Sequence, residues 1–258
     1  MRLKVLIFII SFSIFNFSQS VNDYGIHSKY NDILKEYVKN GLVDYKGLKN
    51  DKRLEEYLRI LSNTGPAKIT DKNELLAFWI NAYNAYTLKV ICDNYPVVRI
   101  TDLSSGGKVL SYVLKTTVWD KDYVKINNKI MSLNDIEHGI IRKDFKEPRI
   151  HFALVCAAIS CPPLRSEAYT GQKLDTQLSG QAKIFFSDKS KNHFDLVKHT
   201  AYLSKILDWY GDDFGSTDEQ ILIYLSQYFP DEVSENIKKN SSKWEIEFND
   251  YNWLLNKQ

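Results

Sequence analysis

Residues 71–85 have the sequence Asp71-Lys-Asn-Glu-Leu-Leu-Ala-Phe-Trp-Ile-Asn-Ala-Tyr-Asn-Ala85, which predicts the central helix of the fold. Asp71 can cap this helix, because Glu74 follows three residues later as in a capping box. The helical pattern continues to Asn94, and Pro96 then ends it. We therefore expect a long helix at the centre of the hydrophobic core.

Polar side chains interrupt the apolar face of this helix. Glu74 and Asn81 fall on one stripe at helical spacing, and Asn84 lies one turn beyond Asn81. Burying such groups without a hydrogen bond costs about 1–3 kcal/mol, so polar partners must meet the stripe. Either Glu74 or Asn81 orients a catalytic imidazole, or Glu74 closes the capping box and the asparagines bind neighbouring backbone groups.

The elements outward from this helix are short. Periodicity predicts helices over residues 30–38, 48–61, 174–186 and 206–210 and after Ser132 and Thr217. It also predicts strands at residues 124–126, 129–131 and 244–248 and a hairpin across residues 193–203. Asn127 and Asn128 can both take positive φ, which favours a two-residue hairpin. Because helices dominate and the strands are neighbours in sequence, we expect an α+β fold, a mainly helical single domain with a small antiparallel or mixed sheet.

Residues 149–170 bring a histidine and two cysteines together around an apolar run at residues 150–155. This run predicts a short buried strand that delivers Cys156 and Cys161 to its end. Since side chains alternate along a strand, His151 and Cys156 are expected on opposite faces.

The two cysteines have two interpretations. They can form a disulfide if their Cα atoms lie within about 7 Å, or Cys156 can be a reduced nucleophile with a lowered pKa. Cys92 is expected to be a buried apolar residue. No paired metal-ligand spacing occurs, so we expect neither a metal nor another cofactor.

Residues 1–20 predict a signal peptide, because two basic residues precede an apolar run and a small-residue segment follows it. The apolar run of about 13 residues is shorter than the roughly 20 that a spanning helix needs. We expect a secreted or periplasmic protein, a single domain over residues 21–258 with no stable membrane span after cleavage. Loss of Arg2 and Lys4 takes the basic count from 34 to 32, equal to the 32 acidic residues, so no nucleic-acid partner is expected.

Five motifs, in order, resemble the DUF547 family. They are residues 74–85, Glu137-His138 with Arg142, residues 151–164, Glu167-Ala168-Tyr169 and residues 205–210, a motif core over about residues 71–210. The resemblance is to an exported bacterial-type member, and it implies a domain without an established general activity. In plant members a serine stands at the position of Cys161, which implies that Cys156 is the more widely shared thiol position.

Two functions are consistent with these patterns. The first is a cysteine-dependent hydrolase or acyl transferase that acts on a small-molecule, peptide or lipid substrate. Its catalytic candidates are Cys156 as nucleophile, His138 or His151 as base, and Glu74 or Asn81 as orienting group, with Cys161, Asn84, Arg149 and Glu137 as additional site residues. The second is a non-catalytic binding or scaffold domain with a structural Cys156–Cys161 disulfide.

Other histidines and aromatic residues are weaker candidates. His27, His193 and His199 lie in polar segments. Trp244, Tyr251 and Trp253 can contact a partner, although alternation over residues 244–248 favours packing of that segment.

Overall fold

Most of the described chain is helical. The computed structural model describes residues 24–103 and 117–258, and the predicted signal peptide at residues 1–20 lies outside them. The α-helices are α1 (Ser28–Tyr37), α2 (Tyr45–Leu48), α3 (Lys52–Asn63), α4 (Lys72–Asn94), α5 (Arg142–Phe145), α6 (Leu174–Ser187), α7 (Ile206–Tyr210), α8 (Asp218–Leu225) and α9 (Asp231–Asn240). A π-helix over Asp135–Ile141 leads into α5, and a 3-10 helix over Pro148–Phe152 follows. Within the described ranges, no helix is long and apolar enough to cross a membrane.

The strands form three small sheets. They are β1 (Val38–Lys39), β2 (Leu42–Val43), β3 (Val124–Ile126), β4 (Lys129–Met131), β5 (His193–Asp195), β6 (Thr200–Leu203) and β7 (Glu245–Phe248). β1 pairs with β2 and β3 with β4, while β6 lies between antiparallel β5 and parallel β7. Asn127 and Asn128 have φ values of 48° and 60°, as predicted for the β3–β4 turn. The predicted α+β class with a mixed sheet is confirmed.

Helix α4 is the centre of the first hydrophobic cluster. The Asp71 side chain accepts a hydrogen bond of 2.7 Å from the Glu74 backbone nitrogen, which confirms the predicted cap. Every residue from 76 to 88 is buried. Since a helix buried on all sides needs neighbours on all sides, α2, α3 and α6 pack around it.

A second hydrophobic cluster is built from α6, β6 and helices α7 to α9. The 3-10 helix lies between the two clusters, because Ile150 belongs to the first and Phe152 to the second. Tyr251, near the end of the chain, packs against both. Residues from each cluster can therefore meet along this boundary.

The predicted strand over residues 150–155 was wrong. The Glu147 side chain accepts a hydrogen bond from Arg149 N and starts the 3-10 helix, and Ile150 O then accepts hydrogen bonds from the backbone nitrogens of Ala153 and Leu154. All of residues 150–155 are buried. A short apolar run indicates that its residues are buried, but it is too short to show whether the hydrophobic period is that of a helix or of a strand. The sequence pattern therefore predicted the wrong backbone conformation.

Gly171 makes a close contact with the start of α4. Its backbone nitrogen donates a hydrogen bond of 2.6 Å to Glu74 Oε2. A Cβ at Gly171 would lie 2.6 Å from the Glu74 backbone nitrogen and 2.8 Å from Glu74 Oε2. This approach is possible only without a side chain at residue 171.

We expect Gly171→Ala to lower the free energy of unfolding by about 1–3 kcal/mol, because the added carbon overpacks against the helix backbone. Urea unfolding monitored by circular dichroism measures the change. Gly180→Ala in α6 is the matched control, since a Cβ there meets no described atom within 4 Å apart from the backbone of its own helix. It should be neutral or stabilising by up to about 1 kcal/mol. Equal losses in both variants would contradict the packing argument.

Candidate functional site

A cavity of about 240 Å³ lies at the boundary between the two hydrophobic clusters. Its lining comes from α4, the π-helix, residues 117–119 and 151–162, α7 and the C-terminal tail. The site has three parts: an aromatic wall, a sulfur floor and a polar end. Segments that are far apart in sequence therefore converge on one volume.

The aromatic wall consists of Trp119, Trp209, Tyr251 and Trp253. The ring centroids of Tyr251 and Trp253 lie 4.5 Å apart, and that of Trp209 lies 4.8 Å from Tyr251 and 5.8 Å from Trp253. Trp119 joins the group at 5.9 Å from Trp253. Trp209 remains 44% exposed, so a ligand can reach the wall from solvent.

The sulfur floor is a disulfide between Cys156 and Cys161, whose Cα atoms are 6.1 Å apart. The backbone nitrogen of Cys156 donates to Cys161 Sγ at 3.1 Å. The Tyr251 hydroxyl lies 3.0 Å from Cys156 Sγ and 3.2 Å from Cys161 Sγ, so the tail covers the bridge. Cys92 is free and buried. Of the two interpretations of this cysteine pair, the structure therefore contains the bridged one.

Glu137 forms the polar end together with Tyr83 and Tyr210. Glu137 lies on the π-helix and is only 7% exposed. Burial, and next the nearby Glu137 carboxylate, raise the pKa of both tyrosine hydroxyl groups. A raised pKa keeps a tyrosine hydroxyl protonated at neutral pH, so both hydroxyls can donate a hydrogen bond to Glu137.

His151 is held by Asp213. Its Nε2 lies 2.6 Å from Asp213 Oδ2, and its ring stacks on Tyr210 with centroids 4.1 Å apart. Arg142 donates to the same carboxylate through Nε at 2.7 Å and Nη2 at 2.8 Å. The hydrogen bond with His151 holds the pKa of Asp213 well below its usual range. Burial opposes this shift, and the hydrogen bonds from Arg142 add to it. An ionised Asp213 fixes the orientation of the imidazole.

Four of the predicted site residues line the same cavity: Glu137, His151, Cys156 and Cys161. The expectation that His151 and Cys156 point to opposite faces was wrong, because the segment between them is a 3-10 helix and a loop rather than a strand. The predicted base His138 is exposed and does not line the cavity. Its Nδ1 lies 3.1 Å from Arg142 Nη1.

The predicted residues on α4 bind backbone groups rather than an imidazole. Asn81 donates to Tyr169 O at 2.8 Å and accepts from Tyr169 N at 2.9 Å. Asn84 donates to Ala153 O and accepts from Val155 N, both at 2.9 Å. Glu74 accepts from Gly171 N, as described above. The orienting contact expected from Glu74 or Asn81 is made to His151 by Asp213 instead.

Arg149 also lies away from the cavity lining. Its guanidinium pairs with Glu147 at 2.6 Å and with Asp175 at 2.8 Å, and it donates to Ser179 Oγ at 2.7 Å. These contacts tie the 3-10 helix to α6. The site residues that sequence reasoning missed are Asp213, Tyr83, Tyr210 and two members of the aromatic wall, Trp119 and Trp209.

The fold and the site together define a mainly helical α+β domain whose cleft is lined by aromatic side chains and by the Cys156–Cys161 disulfide. Residues 66–186 match the family model of DUF547, a protein of unknown function, and this match supports the DUF547 family for the chain. No curated protein and no solved structure matches the chain. The matched segment contains Glu137, His151 and both bridged cysteines, whereas Asp213 and most of the aromatic wall lie beyond its end.

Proposed function

We propose that this DUF547 domain binds a small organic ligand in the cavity between the aromatic wall and Glu137. The observation that carries the proposal is the convergence of four aromatic side chains and one buried carboxylate on a single volume of about 240 Å³. Mostly apolar cavities with a few convergent polar groups are the usual small-molecule sites of proteins. In this function the Cys156–Cys161 disulfide has a structural role, since it holds the floor of the cleft.

A thermal-shift panel of organic cations, anions, sugars, short peptides and lipids tests this proposal. At least one class should raise the Tm of the wild type, because a ligand that binds only the folded state stabilises it. Trp209→Leu should abolish the shift. Phe248→Leu is the control, because Phe248 is an exposed aromatic residue on β7 outside the cavity lining. The binding function is rejected if no class acts, or if Trp209→Leu responds like the wild type.

A second candidate function is a thiol hydrolase or acyl transferase that is active after reduction of the disulfide. It is favoured by one observation: His151 and Cys156 line the same cavity. Because His151 Nε2 is hydrogen-bonded to Asp213, Nδ1 is the ring nitrogen that can act as the base. A dithiol reductant would become a cyclic disulfide and release both cysteine thiols. Cys156 would then lose its proton to His151 and form a thioester, the leaving group would take that proton, and water would release the acid.

The two single cysteine variants separate these functions. If the thiol function operates, hydrolysis of p-nitrophenyl acetate should appear in the wild type only with dithiothreitol. It should then be absent from Cys156→Ser and independent of dithiothreitol in Cys161→Ser, whose Cys156 has no bridging partner. Background ester hydrolysis by the reductant is measured without protein and subtracted. Equal rates in all three proteins would reject a nucleophilic Cys156.

We also propose that the chain is exported to a secreted or periplasmic location. The basic, apolar and small-residue segments of residues 1–20 support export. The disulfide is compatible with an oxidising compartment. N-terminal sequencing of the protein from its native cells should find Val21 as the first residue, and an intact Met1 in the cytosolic fraction would contradict export.

A further inference from the structure

We infer that the ligand of the cleft is an organic cation with a quaternary or highly alkylated ammonium group. This inference rests on the proposed binding function and specifies the class of ligand. It is carried by the combination of the aromatic wall with a buried carboxylate that has no cationic partner among the described residues. Each of these two features favours positive charge by a different mechanism.

The aromatic wall favours a cation through the faces of its rings. The face of an indole or phenol ring carries negative potential, and a cation within about 6 Å of the ring centre is attracted to it. Trp209, Tyr251 and Trp253 lie within 4.5–5.8 Å of one another, so several rings border the same volume. An alkylated ammonium group suits such a wall, because its methyl groups are apolar and need no hydrogen-bond acceptor.

Glu137 supplies a buried carboxylate to the lining of the same cavity. No Lys, Arg or His nitrogen of residues 24–103 and 117–258 forms an ion pair with its carboxylate. Arg142 forms its ion pair with Asp213, and His151 Nε2 contacts the same carboxylate. Tyr83 and Tyr210 can donate hydrogen bonds to Glu137 but do not neutralise it.

A buried carboxylate is costly unless a positive charge or enough hydrogen bonds compensate it. A cationic ligand in the cavity would face Glu137 and the aromatic wall at once. An anionic ligand would be repelled by Glu137. A neutral sugar could stack on the wall, but it would bring no positive charge to Glu137.

Two probes of equal shape test the sign of the ligand charge. Choline and 3,3-dimethylbutan-1-ol differ by the replacement of the ammonium nitrogen with carbon. In titrations followed by tryptophan fluorescence, with KCl added to equalise ionic strength, we expect choline to bind at least about tenfold more tightly. Glu137→Gln should remove most of this preference. The control Glu245→Gln, on the exposed edge of β7, should keep it.

Equal binding of the two probes would overturn the inference, and this comparison needs only the wild type, even if Glu137→Gln fails to fold. The inference also fails if choline does not bind and the thermal-shift panel yields only neutral or anionic ligands. In that case the proposed binding function would stand without a cationic ligand. If no class in the panel binds, it is the proposed function itself that fails.

Discussion

Replacing Asn81 with alanine is expected to lower the free energy of unfolding by about 2–6 kcal/mol. Asn81 is 1% exposed, and its amide makes hydrogen bonds to both the carbonyl and the nitrogen of Tyr169. The variant leaves two buried backbone groups without these partners, and each orphaned group costs about 1–3 kcal/mol. Urea unfolding at neutral pH, monitored by tryptophan fluorescence and circular dichroism, measures the loss.

Asn94→Ala is the matched control for this prediction. Asn94 is at the end of the same helix and is exposed, and among the described residues its side chain bonds to Val90 O in the preceding turn. Its replacement should change the free energy of unfolding by no more than about 0.5 kcal/mol. A residue that acts only in catalysis has no such effect on stability. If Asn81→Ala were as stable as Asn94→Ala, the backbone-clamping role would be wrong and a catalytic role for Asn81 would regain support.

Much of the fold could be predicted because the signals are local. The capped start of α4, the Asn127-Asn128 turn and the antiparallel β5–β6 pair each depend on residues that are close in sequence, whereas the parallel pairing of Thr200–Leu203 with Glu245–Phe248 does not. The polar stripe on α4 also predicted correctly that polar groups must meet it. The identity of those groups was out of reach, since Asn81 and Tyr169 are 88 residues apart in sequence.

The sequence predicted only those site residues that lie close together in one segment or in a recognisable motif. His151, Cys156 and Cys161 are close in sequence, and Glu137 stands in a recognisable motif. Asp213 lies 62 residues from its partner His151, and Tyr251 lies 95 residues from Cys156. No pattern in the sequence indicates that the segments containing Asp213 and Tyr251 contact the segment over residues 151–161. For the C-terminal tail, the sequence allows either partner binding or packing of a strand. In the structure Trp244 is buried, whereas Tyr251 and Trp253 line the cavity.

His27 shows how a polar sequence context can mislead. It lies in a polar segment of the sequence, yet it is 0% exposed. The 3-10 turn Gly25–His27 places its ring against Tyr57 and Phe78, with centroid distances of 5.9 Å and 6.0 Å. Nδ1 shares a hydrogen bond of 2.6 Å with the Tyr57 hydroxyl, and Nε2 has no partner among the described residues.

The buried His27 is expected to make the fold sensitive to mild acid. Burial lowers the pKa of His27 from 6.5 to about 4, because the charged imidazolium loses its hydration. Below pH 6.5 the unfolded chain binds a proton that the folded chain does not, so the free energy of unfolding falls as the pH decreases. The loss should reach about 3 kcal/mol by pH 4, since each pKa unit corresponds to about 1.4 kcal/mol. Above pH 6.5 this contribution is constant.

Urea unfolding of the wild type and His27→Gln between pH 7.5 and pH 4 isolates this effect. Other titrating groups contribute to both proteins, so the difference between their pH slopes belongs to His27. Tyr57→Phe tests the cause: it removes the hydroxyl partner but keeps the imidazole buried. Because burial rather than the hydrogen bond lowers the pKa, Tyr57→Phe should retain the steep wild-type slope although its stability is lower at every pH. A shallow slope in Tyr57→Phe would show that the hydroxyl, and not burial, holds His27 neutral.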